Sequence, residues 1–367
     1  MLILEKNSSK IKSLGVLALV VLLVLTALLY ANKRFYGGTD EAFESKDFIL
    51  AGELNSMPGQ NSTVYFIDDM LLEIQGRTIR AKNIGGNITW SESLAGDITK
   101  VASAGENIIM VDSTKVLSCL NKKGKVLWSY NLPYDCMELY AQENGAMFIE
   151  YKNSSGCRFD VLNSKGGKSG SGLVENSYIL SFSTGGQDMF SISVLDVSSD
   201  SVNSKILTYD FKGNIIWANN FDNEVISSLA YDKNNDLIAL GESTIYKYRS
   251  NGELAVKEAI NGGIVKAVLN GRYAVVITKD RAGFDAGCYD SNLKQLGSIA
   301  LDKVPQGIYL TENGFILFDK DGFVQYNSKC GRLAAYDSTV DIMGLHITGG
   351  NKFYLESNRK LQLLEGR

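Results

Sequence analysis

The residues able to do chemistry in this chain are few, beginning with imidazole. Its 367 residues include one histidine, His346, in the apolar run Met343-Gly344-Leu345-His346-Ile347. A lone imidazole supplies at most one member of a catalytic triad or one zinc ligand, and this setting reads as a packed, satisfied core histidine. Gly167-Lys168-Ser169 carries the end of a phosphate-binding loop. That motif needs another glycine five positions earlier, where Leu162 stands instead. Asp232-x-Asn234-x-Asp236 has the spacing of the first three ligands of a calcium loop. Leu237 occupies the place of its required glycine and Ser243 that of its bidentate glutamate, so an ordinary polar turn is the reading.

Cysteine offers no more. Cys119, Cys136, Cys157, Cys288 and Cys330 are far apart, with no CxxC and no adjacent pair, and most sit in apolar runs. They read as small buried hydrophobes, with at least one thiol necessarily free. No metal-binding or cofactor-binding residue is assigned. Lys and Arg total 37 against 41 Asp and Glu, a net charge of −4, which argues against a nucleic-acid partner. Carboxylates are plentiful, and pairs assembled by folding are invisible in sequence.

The elements that would position these groups show themselves as a repeat. Each of the three tryptophans follows a glycine by four residues: Gly86 and Trp90, Gly124 and Trp128, Gly213 and Trp217. Each glycine follows an Asn or Asp by three: Asn83, Asn121 and Asp210. Weaker copies place further turns near 166, 252, 292 and 331, giving spacings between 38 and 47 residues. Runs rich in β-formers flank each turn, as at 116–120 and 126–130, and two short strands precede them, as at 98–102 and 107–111. Four strands per roughly forty residues is the pattern of a propeller blade. The tryptophans are then structural, packing the outermost strand between neighbouring blades.

First strands start at Val64, Ile98, Met137, Ile179, Ile226, Ile264, Ile308 and Ile342, which predicts an all-β, eight-bladed β-propeller over residues 47–367. The last unit is one strand short, and the run at 48–51 is unpaired. We expect that run to supply the missing strand and close the ring, leaving no open edge. A seven-bladed alternative stays open because the first unit, with Met57-Pro58-Gly59-Gln60, is irregular.

Ahead of the propeller, no charge falls between Lys12 and Lys33. An apolar stretch of about twenty residues spans a bilayer core, so 13–32 reads as an uncleaved transmembrane helix in contact with lipid, preceded by a cytoplasmic tail (1–12) and followed by a stalk (33–46). Lys6, Lys10 and Lys12 before the span outnumber Lys33 and Arg34 after it, which puts the propeller outside the cytoplasm of a single-pass membrane protein.

The Asx-x-x-Gly-x-x-x-Trp repeat resembles that of the pyrroloquinoline-quinone-like, or quinoprotein alcohol dehydrogenase-like, propeller superfamily. The whole layout is similar to uncharacterised single-pass, membrane-anchored propeller proteins of Gram-positive anaerobes. The resemblance implies a fold, not an activity. Quinoprotein dehydrogenases need a quinone, calcium and a carboxylate base, often with a vicinal disulfide, and this chain has no Cys-Cys pair.

Function on such a scaffold belongs to loops at one end of the ring. Connections between second and third strands share a face with those between blades. Three read as enlarged: 151–157, 196–205 and 279–287. The last presents Lys279, Asp280, Arg281, Phe284 and Asp285, and Tyr134 and Asp135 join that face from a blade connection. Arg and aromatic residues are enriched where proteins meet. The expectation is a non-enzymatic binding scaffold for a protein or cell-envelope ligand, with a degenerate quinoprotein or carbohydrate-active enzyme as the alternative.

Overall fold

Outer strands such as Ile88–Ser93 and Val126–Asn131 alternate a half-buried and an exposed face, second strands such as Asn107–Asp112 and Leu237–Leu240 are buried almost throughout, and the molecule is built by repeating that graded sheet. The computed structural model describes residues 48–54, 62–67, 70–83, 86–142, 144–151, 156–186, 189–198, 202–348, 352–357 and 360–366. The expected tail, membrane span and stalk lie outside these. Among the described residues, eight four-stranded antiparallel sheets form an eight-bladed β-propeller. Blades 1 to 7 span 63–93, 98–131, 136–175, 177–222, 228–259, 263–301 and 307–337 in chain order. The seven-bladed alternative is thereby corrected; the irregular first unit still makes a complete sheet.

Blade 8 takes three strands from the C-terminus and its outermost from Phe48–Leu54, which pairs antiparallel with Lys360–Gly366. The unpaired run near the start does close the ring. Packing agrees, because each of the eight seams holds its own apolar cluster, and the last joins Leu71 of blade 1 to Tyr354, Leu361 and Leu363 of blade 8. Burying each such side chain is worth about 1.5–3 kcal/mol, so a ring distributes its core among seams rather than concentrating it.

The turns between third and fourth strands explain the repeat. Asn121 Oδ1 accepts from the backbone N–H groups of Lys123 and Lys125, both at 3.0 Å, and Asn163, Asp210, Asp290 and Asn327 do the same in their blades. An Asx side chain satisfies the donors that such a tight turn exposes. Three residues later the chain is left-handed in seven blades, at Gly86, Gly124, Gly166, Gly213 and Gly252 but also at Leu293 and Cys330. The expected turn positions 292 and 331 are each corrected by one residue. In these two turns no glycine marks the left-handed site, and Asn292 and Gly331 each stand one residue away from it.

Glycine is required where the preceding blade's tryptophan lies on the turn. A Cβ on Gly252, whose φ is +85°, would lie 2.7 Å from the Trp217 ring, and one on Gly124 or Gly166 would lie 2.5 Å from Trp90 or Trp128. Each indole N–H then donates to a carbonyl of that turn: Trp90 to Lys122 at 2.7 Å, Trp128 to Ser164 at 3.1 Å and Trp217 to Ser250 at 3.0 Å. The tryptophans are inter-blade docking groups, as their spacing implied.

Candidate functional site

The connections that bear the candidate residues emerge on one face, where second strands pass to third and fourth strands pass to the next blade. In blade 6 the second strand, Tyr273–Lys279, and the third, Phe284–Asp290, pair as far as Lys279 opposite Phe284. The enlarged loop read at 279–287 is therefore a four-residue turn, 280–283. Asp280 makes it tight, its Oδ1 accepting from the N–H groups of Ala282 at 2.7 Å and Gly283 at 3.1 Å. The Lys279 ammonium lies 5.5 Å from the Phe284 ring centroid, a cation–π contact that holds the hairpin end. Asp280 and Lys279 thus serve the turn itself. Arg281 and Asp285 are exposed, and among the described residues neither side chain has a hydrogen-bond or ionic partner.

Of the other enlarged connections, residues 152–155 and 199–201 lie outside the described residues. Tyr134 and Asp135 sit on the same face at the seam of blades 2 and 3, not beside blade 6. Tyr134 is packed edge-on against Tyr151 at 5.7 Å, with the Arg158 guanidinium 5.3 Å from its ring centroid. Asp135 pairs with Lys115 at 3.4 Å. The structure therefore divides the expected site into two sectors, and the blade 6 sector carries the unpaired charges.

Two cavities lie near these loops, and neither is marked by a local sequence signal. Where the connection from blade 6 runs into blade 7, a cavity of about 300 Å³ is walled by Leu301, Phe318, Phe323, Tyr326 and Tyr336. Lys303 bridges its acidic rim, 2.7 Å from Asp319 and 3.3 Å from Asp321. Hydrogen bonding to Asp319 raises the Lys303 pKa above its ordinary value. Between blades 5 and 6 a groove of about 220 Å³ is polar, lined among others by Glu258, Asn261, Thr278, Asp285, Tyr289 and Gln295. Burial, reinforced by the nearby Glu258 charge, raises the Tyr289 pKa. Apolar walls with a few placed polar groups suit ligand capture.

The seam between blades 5 and 6 departs from the repeat. In register, Val256 stands where blade 4 has Trp217, and Glu258 where it has Asn219. Val256 is 41% exposed against 9% for Trp217, and Leu254–Ala259 is exposed at every residue. Lys247, cross-strand from Val256, reaches the next blade instead. Its ammonium lies 2.8 Å from Asp232, 3.3 Å from Asp236 and 3.3 Å from Asn292 Oδ1 of blade 6. Asp232 Oδ1 meanwhile accepts from the N–H groups of Asn234 and Asp236. The calcium-like spacing is thus an Asx turn closed by a lysine.

The remaining reactive groups lie apart from this face's open chemistry. His346 is half-buried against Phe66 across the blade 8–blade 1 seam, ring centroids 4.0 Å apart. Burial lowers its pKa against the opposing pull of Glu356, whose Oε2 is 3.7 Å from Nε2. The expectation of a satisfied core histidine needs correction, because Nε2 has no hydrogen-bond partner. All five cysteines are free, and desolvation pushes Cys157 and Cys288 up to about 12 and Cys119, Cys136 and Cys330 to about 11. Their thiolates are suppressed, which disfavours nucleophilic and redox roles. Among the described residues no cluster of three or more His, Cys, Asp or Glu is placed to hold a metal, and no helix is long and apolar enough to cross a membrane.

An eight-bladed ring whose first and last segments share a sheet defines the class, a closed β-propeller. Within it, the chain belongs to the family of unknown function DUF5711, which matches residues 45–365. No curated protein matches the sequence. Among solved structures the chain is similar to BamB from Moraxella catarrhalis, at 12% identity and a TM-score of 0.57, covering 87% of this chain and 100% of that one. It is similar too to Saccharomyces cerevisiae Sqt1, at 9% identity and a TM-score of 0.60, covering 87% and 100%. The C-terminal WD40 domain of Sif2 gives 14% identity and a TM-score of 0.62 over 88% and 99%. At these identities the likeness is one of fold.

Proposed function

We propose that this chain is a non-enzymatic binding scaffold, a propeller held outside the cytoplasm by a single membrane span at 13–32 and engaging a protein partner through the blade 6 sector of its loop-bearing face. The observation that carries this reading is the unpaired, exposed Arg281 on a tight turn, with Asp280 and Asp285 lining the polar groove beside it. A rigid hairpin presents its side chains at little entropic cost. Suppressed thiols and a histidine packed into a seam favour binding over catalysis. The charge-free run between Lys12 and Lys33 supports the tether, and the Asx-x-x-Gly-x-x-x-Trp docking supports grouping with the quinoprotein-like propellers.

The test is a photo-crosslinking residue at position 284 in intact cells, with a control at Tyr134. A discrete adduct should form from position 284 and fall at least fivefold when Arg281→Ala is added, with no change in melting temperature. An adduct indifferent to Arg281, or one arising equally from position 134, contradicts the assignment.

A further inference from the structure

Six other outer strands set the standard for what a blade does with its edge. On the side facing the next blade, the residues in register with Val256 are Trp90, Trp128, Gly170, Trp217, Gly297 and Ala334, and those in register with Glu258 are Glu92, Tyr130, Gly172, Asn219, Ile299 and Tyr336. Every one is buried or half-buried, whereas Val256 and Glu258 are exposed. Where tryptophan is missing at the seams after blades 3 and 6, glycine lets the backbones close up. A Cβ on Gly170 would meet the Phe211 carbonyl at 3.0 Å, and one on Gly297 would collide with that of Lys329. Only after blade 5, among these seven seams, does the outer strand stand away, leaving the polar groove between itself and blade 6.

We propose that this groove and the free edge of Leu254–Ala259 together take an extended, basic segment of the scaffold's protein partner, which adds to blade 5 as a fifth strand and lays an arginine or lysine into the groove. This deepens the scaffold reading above and rests on it. The edge strand is hydrogen-bonded on one side only, so its outer backbone groups are open to strand addition. Leu254 and Val256, 44% and 41% exposed, offer apolar contact along it. Within the groove, charge complementarity fixes the sign of the side chain it takes, because the lining includes Glu258, Asp280 and Asp285 and neither lysine nor arginine. Among the described residues, neither the Glu258 nor the Asp285 carboxylate has a hydrogen-bond or ionic partner, while the nearby Lys279 ammonium is engaged over Phe284. The Tyr289 ring and the neutral donors and acceptors of Asn261, Thr278 and Gln295 complete a site shaped for a cationic head on an apolar stem.

The probe is a capped peptide alternating valine and arginine, with a twin carrying glutamate for arginine, titrated by fluorescence anisotropy onto the full-length chain in detergent. The arginine peptide should bind, weaken with salt, and lose at least tenfold in affinity in the Glu258→Lys, Asp285→Lys variant. It should also slow backbone hydrogen exchange in Leu254–Ala259. The glutamate twin should not bind. Equal binding of the twins, indifference to the charge reversals, or protection confined to another blade overturns the proposal. If the position 284 adduct persists while the groove fails these tests, the scaffold reading survives without this groove.

Discussion

The seams on either side of blade 5 solve one problem in two ways. On the blade 4 side, Trp217 lies over Gly252 and donates to the Ser250 carbonyl, so one side chain supplies area and a hydrogen bond together. On the blade 6 side, those duties are separated. Lys247 supplies the bridge to Asn292 from an inner position, and Val256 is left in solvent. Stability and an open surface compete for the same few residues. A propeller can leave one outer strand undocked because each seam is anchored separately, and the seam after blade 5 becomes the groove.

The largest effect should come from the filled seam. Trp217→Ala removes a buried ring and strands the Ser250 carbonyl, and should cost about 3–5 kcal/mol in denaturant unfolding. Val256→Ala, at the matching position, should cost under about 1 kcal/mol. Comparable losses would mean that the seams do not differ as described.

Next is the lysine. Lys247→Met leaves the Asp232 carboxylate, whose side chain has no exposed area, without its counter-charge, and should cost about 3 kcal/mol. Burial opposes the charged ammonium, but hydrogen bonding and attraction from Asp232 and Asp236 together outweigh it and raise the pKa above 10.5. A raised pKa means the contribution is present at neutral pH and fades only as pH climbs through the folded-state value. The wild-type advantage over Lys247→Met should therefore be flat from pH 6 to 9 and shrink in stronger alkali. A difference that shrinks below pH 9 would point to another titrating group.

The smallest effect should come from refilling the open seam. Val256→Trp alone meets Leu293, which stands where the turns docked by Trp90, Trp128 and Trp217 carry glycine. Combined with Leu293→Gly, it should show a favourable coupling of about 1 kcal/mol in a double-mutant cycle. Zero or unfavourable coupling would show that the missing glycine is not what keeps tryptophan out.

Much of this was legible in the chain. First-strand starts fall within two residues of those observed, and the tryptophans' place in the repeat announced their packing between blades, although each docks on the turn glycine of the next blade rather than on the one four residues before it. The closing strand was found by arithmetic, a last unit short and a first run unpaired. The site was less legible. Where the hairpin of blade 6 ends depends on Lys279 meeting Phe284 across the sheet, which no local signal reports. The grooves come from residues on different blades, and Lys247 bonds Asp232 fifteen positions away. One signal was present and unused: valine at the tryptophan position marks the seam that stays open.

Native-state hydrogen exchange on the unmodified full-length chain compares the two outer strands most directly. Amides of Leu254–Ala259 should exchange at least tenfold faster than those of Ile215–Asp222. Equal protection of the two strands would contradict this, because a strand packed as tightly as its neighbour leaves no groove to fill.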